Sequence, residues 1–103
     1  MYVKELTNGM LLRPKEGWEW NINGLHKTAG DGGTELLDLG VSSHCSVRYR
    51  YQLVGQPNNE LGVYLGKRKL AETYYGLFTH HIVLVGGTVA ALDGYSFADI
   101  EKV

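Results

Sequence analysis

Cys45-Ser46-Val47-Arg48-Tyr49-Arg50-Tyr51-Gln52-Leu53 decides the fold class. Cys45, Val47, Tyr49, Tyr51 and Leu53 alternate with Ser46, Arg48, Arg50 and Gln52, which is the period of a half-buried antiparallel strand. Its β-branched and aromatic side chains suit a pleated surface. The strand stops at Gly55-Gln56-Pro57-Asn58-Asn59, a cluster of turn formers. A second strand follows at Leu61–Lys67, with Leu61, Val63 and Leu65 on one face. His80–Val85, Gly86-Gly87 and Thr88–Leu92 then read as a β-hairpin, because a Gly-Gly pair meets the positive-φ demand of a tight primed turn.

Outward from this centre the pattern loosens. Met10–Arg13 reads as a strand stopped by Pro14, and Trp18–Ile22 as another. Residues 23–34 hold four glycines and read as a flexible loop, after which Glu35–Val41 is extended. Arg68–Phe78 stays ambiguous between helix and strand: Leu70, Tyr74 and Leu77 keep helical spacing, while Thr73-Tyr74-Tyr75 favours a strand. Asp93-Gly94 ends the hairpin, Tyr95–Asp99 reads as a short 3₁₀ turn, and Ile100–Val103 as a last edge strand.

Leu61 to Val103 is similar to SH3-like barrel domains. The resemblance is carried by Gly62-Val-Tyr-Leu-Gly, His81-Ile-Val-Leu-Val, Gly87-Thr-Val-Ala-Ala-Leu and the closing Tyr95–Val103. It implies strand, hairpin, 3₁₀ turn and closing strand in that order. The segment also resembles small SH3-like proteins encoded by tailed phages. The Ala-Leu-Tyr-Asp-Tyr run and paired tryptophans of proline-binding SH3 domains are missing, so that function is not implied. The fold expected is mostly β: a small antiparallel SH3-like barrel over residues 1–103, with a glycine-rich loop insertion and a short 3₁₀ turn before the last strand.

Charge and cysteine content narrow the function classes. Ten Lys plus Arg against eleven Asp plus Glu give a net charge of −1, with no basic half or tail of the kind that marks a dedicated nucleic-acid binder. A single cysteine excludes an internal disulfide. Cys45 lies on the apolar face of its strand and reads as a small buried hydrophobe. The longest apolar run considered, Ile82–Val85, has a strand's length, so no membrane span is expected. Met1–Thr7 lacks the apolar region of a signal peptide, which points to an intracellular, cytoplasmic protein, or to host cytoplasm or virion for a phage product.

Catalytic signals are weak. His44 and Cys45, like His80 and His81, are strand neighbours that face opposite ways, and no zinc-ligand spacing occurs, so no metal and no cofactor is expected. Lys27-Thr28 precedes Gly30, Gly32 and Gly33, the reverse of a phosphate-binding loop. No Gly-x-Ser-x-Gly elbow is present, and the carboxylates have no spacing that forces convergence. An enzyme is not expected.

Binding is the better expectation. Seven tyrosines and two tryptophans are many for a domain this small to hide, and these residue types favour interfaces. Trp18, Trp20, Tyr74 and Tyr75 are the aromatic candidates, for a protein partner or for self-association. Ile100–Val103 and Met10–Arg13 are the edges open to strand addition. The reading is a non-catalytic interaction or assembly module, of the phage structural or accessory type that the resemblance implies. The alternative is a nucleic-acid-binding barrel using Arg48, Arg50, Lys67 and Arg68.

Overall fold

A computed structural model describes residues 6–27, 35–36, 41–42, 45–51, 61–72, 76–92 and 99–103. Among these the strands are β1 (Leu11–Pro14), β2 (Ile22–Lys27), β3 (Glu35–Leu36), β4 (Val41–Ser42), β5 (Cys45–Tyr51), β6 (Gly62–Glu72), β7 (Gly76–Val85), β8 (Thr88–Leu92) and β9 (Ile100–Lys102). Seven of them hydrogen-bond in the order β5-β2-β8-β7-β6-β1-β9, and β3 pairs with β4 separately. A further pairing of β5 with β6 closes β5, β2, β8, β7 and β6 into a five-stranded barrel. That closing pair is parallel, Ser46 opposite Ala71 and Val47 opposite Glu72, whereas every other pairing is antiparallel.

The hairpin forms as its glycines dictate. Gly86 and Gly87 have φ of 58° and 78°, two successive left-handed residues, so Val85 meets Thr88 across a two-residue turn. Ile82 and Val83 are both fully buried although strand neighbours face opposite ways. The reason is two apolar layers. Val83 and Val85 join Leu12, Trp20, Ile22, Tyr64, Ala90, Leu92 and Ile100; Ile82 joins Val41, Cys45, Leu70 and Ala91. A sheet covered on both faces needs a continuous apolar run, which is what Ile82–Val85 supplies.

Two bulges break the simple alternation. In β6 the register passes from Tyr64–Val83 to Gly66–Ile82 and skips Leu65, where Gly66 takes a φ of 110°. In β5 it passes from Tyr49–Gly24 to Val47–Leu25 and skips Arg48, so the uninterrupted alternation from Cys45 to Leu53 does not hold. Ser46, placed on the polar face by pattern, is buried and donates a long hydrogen bond to the His26 carbonyl.

Several expectations are corrected. Residues 23–27 are not loop: they belong to β2 and pair with β5, and Asn23 also pairs with β8. The strand expected at Trp18–Ile22 begins only at Ile22, because Gly17 (φ 84°) turns the chain and the Trp18 N–H donates to the Lys15 carbonyl at 2.9 Å. Arg68–Glu72 and Gly76–Phe78 are strand, in β6 and β7. On β6 the buried positions are Gly62, Tyr64, Gly66 and Leu70, so Leu61 is exposed and Val63 and Leu65 are only partly buried. β9 does lie at the end of the sheet, but β1 does not offer an open edge, since it pairs with β6 on one side and β9 on the other. Of the turn expected at Tyr95–Asp99 all but Asp99, and most of the expected glycine-rich loop (residues 28–34), lie outside the described residues.

Candidate functional site: the β6–β7 ribbon

β6 and β7 pair over ten register positions, from Gly62–Val85 to Glu72–Gly76. The first half is core. Beyond the bulge the ribbon carries Lys67 opposite His81, Arg68 opposite His80, Lys69 opposite Thr79, Leu70 opposite Phe78 and Ala71 opposite Leu77. Paired residues share a face, so Lys67, Lys69, Thr79, His81, Ala71 and Leu77 lie on one side and Arg68, His80, Leu70 and Phe78 on the other.

Leu70 is fully buried and anchors the ribbon in the second apolar cluster. Across from it the chain is open. Gly76, Leu77, Phe78 and Thr79 are exposed one after another, so neither face of β7 is covered here. Leu77 is 68% and Phe78 44% accessible. β8 joins the far edge of β7 only from His81 onward, and no described strand pairs with that edge over Gly76–Thr79.

At the root of this segment the Tyr64 hydroxyl and His81 Nδ1 are 2.7 Å apart, with the rings tilted at 35°. Burial, then the positive charges of Lys67 and His80, lower the pKa of His81 from its ordinary value. Burial raises that of Tyr64, against a smaller opposing effect of Arg68. A neutral imidazole can accept the phenol proton at Nδ1. Because the folded-state pKa of His81 lies below the unfolded one, the unfolded chain binds the proton more readily. The resulting stability is present above about pH 6.5 and is lost as pH falls through the folded value. Urea titrations at pH 7.5 and pH 5 should therefore show a drop in midpoint that shrinks in His81→Gln. An equal drop in both proteins would remove His81 as the cause.

Lys67, Arg68, Lys69 and Thr79 line a shallow depression of about 300 Å³ on the ribbon. The Arg68 guanidinium donates to the Lys67 carbonyl at 2.6 Å, which folds its side chain back along β6. Elsewhere charges pair in the ordinary way: Arg13 Nε meets Glu101 Oε1 at 3.1 Å between β1 and β9, both side chains exposed.

The residues singled out in the sequence do not all converge. Trp20 is a core side chain, 3% accessible, while Trp18 is 51% accessible, so the two indoles form no joint surface. A Cβ on Gly62 would lie 2.8 Å from the Trp20 ring, which shows how tightly the indole is seated on β6. Lys67 and Arg68 adjoin on β6. Arg48 and Arg50 lie on β5, past the point where Val47 meets Glu72, so Arg48 is displaced from Arg68 by about 17 Å along the strands. Tyr74 and Tyr75 fall outside the described residues. Cys45 is a free, buried thiol within the second cluster. The sequence reading does not single out Leu77, Phe78 and Thr79 as binding residues; the ambiguous period of 68–78 conceals that they share a strand pair with Lys69.

Among the described residues no group of three His, Cys, Asp or Glu side chains could hold a metal, and no helix is long and apolar enough to cross a membrane. No protein-family model, no curated protein and no solved structure matches the chain.

Proposed function

We propose that the chain is a non-catalytic assembly module that associates with a second copy of itself through the open end of the β6–β7 ribbon. One observation carries this reading: from Gly76 to Thr79 both faces of β7 are exposed, with Leu77 and Phe78 in solvent and the outer edge unpaired by any described strand. An edge of this kind supplies backbone donors and acceptors, and its apolar side chains supply the burial that makes strand addition stable. Antiparallel pairing of two such edges gives a two-fold contact in which the same residues serve both partners.

The architecture is compatible with the SH3-like resemblance. β6, the β7–β8 hairpin and the closing β9 follow one another in the implied order. On this reading β2–β5 is an insertion that completes the barrel, and a phage-type structural or accessory role fits a small module that works by docking.

Leu77→Ser/Phe78→Ser tests the proposal. Both side chains are exposed, so thermal stability should change little, by about 0.5 kcal/mol or less per site. Sedimentation should show a concentration-dependent dimer for the parent chain and a monomer for the variant. A dimer that survives both substitutions would contradict the assignment.

A further inference from the structure

We propose that the face of the β6–β7 ribbon bearing Lys67, Lys69 and Thr79 binds the phosphodiester backbone of a single-stranded nucleic acid. This surface is distinct from the apolar end used for association, and neither reading requires the other.

The argument rests on how charge is distributed. The net charge of −1 conceals a separation: Leu61–Ala71 and Gly76–Leu92 contain Lys67, Arg68 and Lys69 and no Asp or Glu. Over residues 6–21 and 99–103 there are three basic and four acidic residues, and the Arg13–Glu101 pair is found there. Glu72, at the end of β6, is the nearest acidic residue in the described sequence. The ribbon is therefore locally cationic in a chain that is slightly acidic as a whole, and local potential governs contact with a polyanion.

Geometry then selects the kind of polyanion. Lys67 and Lys69 are both exposed and stand two residues apart on one face, about 6.6 Å along the strand. That spacing suits successive phosphates of an extended strand. Thr79, opposite Lys69, adds a hydroxyl, and the shallow depression of about 300 Å³ that these residues line together with Arg68 has room for a phosphate and its sugar. A row of cations that tracks the backbone is the electrostatic part of how small barrels hold single strands without reading sequence. One row of two lysines engages one backbone, which favours a single strand over a duplex. An anionic membrane would require a broader basic face.

The test is fluorescence anisotropy of a labelled mixed-sequence 15-nucleotide DNA with the full chain at several salt concentrations. The two lysine–phosphate contacts predict a log–log salt slope of about −1.4, so affinity should fall about 7-fold between 50 and 200 mM salt. Lys67→Glu/Lys69→Glu should abolish binding with an unchanged circular dichroism spectrum, and Lys69→Gln should reduce the slope by about 0.7. Leu77→Ser/Phe78→Ser should keep the salt slope, which separates this result from the association test. Absence of saturable binding at 50 mM salt would overturn the proposal, as would equal binding by the double glutamate variant. Lysine-dependent binding to phosphatidylserine vesicles without binding to the oligonucleotide would also overturn it.

Discussion

Trp20→Ala is expected to lower the stability of the protein by about 3–5 kcal/mol, a large fraction of what a domain of this size possesses. The indole is 3% accessible and packs in the cluster that joins β1, β2, β6, β7, β8 and β9. It is also seated on Gly62, where even a methyl group would come within 2.8 Å of two ring carbons. Removing it leaves a cavity that strands held by hydrogen bonds on both edges cannot fill by moving together. Trp18→Ala is the internal control. That ring is half exposed and follows a turn, so its loss should change stability by about 0.5 kcal/mol or less. Urea denaturation of the two variants measures both effects. Equal losses would contradict the burial of Trp20 against the exposure of Trp18.

The second large effect is expected at Leu70. Leu70→Ala should cost about 2–5 kcal/mol, because the side chain is fully buried with Val41, Cys45, Ile82 and Ala91. Its neighbour Ala71 stands opposite Ser46 in the parallel pairing that closes the barrel. Loss of the Leu70 anchor therefore loosens the closure as well as the core, and amides of β5 and β6 should exchange faster than those of the β7–β8 hairpin. Leu77→Ala, on the same ribbon but in solvent, should leave stability nearly unchanged. If the two leucines behave alike, the ribbon does not project as described.

These contrasts also show what the sequence reveals. The β7–β8 hairpin is legible because Gly86-Gly87 permits one tight turn and little else, and the flanking apolar runs have strand length. β5 is legible from its alternation, although a bulge at Arg48 leaves no mark in composition. Trp18-Glu19-Trp20 imitates strand alternation, yet the local turn at Gly17 and the space above Gly62 decide where each ring goes. Asn23-Gly24 reads as a breaker but is strand, because pairing with β5 on one side and β8 on the other outweighs local propensity. The parallel β5–β6 closure joins two consecutive strands whose partners lie 25 residues apart, Ser46 and Ala71, and has no local signature.

The candidate site is legible only in part for the same reason. Lys67-Arg68-Lys69 is visible as a basic run at a strand end. What gives it meaning is the register that sets Lys69 beside Thr79 and Ala71 beside Leu77, and a register is a non-local property. The exposure of Leu77 and Phe78 is likewise invisible from sequence. In an apolar count they belong to the core; in the fold they lie beyond the reach of β8.

The most direct test of the central claim, that the open edge of β7 is the docking element, is residue-resolved amide exchange at low and high protein concentration. Strand pairing between two copies predicts that protection over Gly76–Thr79 rises with concentration while that of the β7–β8 turn stays constant. Protection over Gly76–Thr79 that does not change with concentration, in a protein that nevertheless dimerises, would place the interface elsewhere and contradict the account.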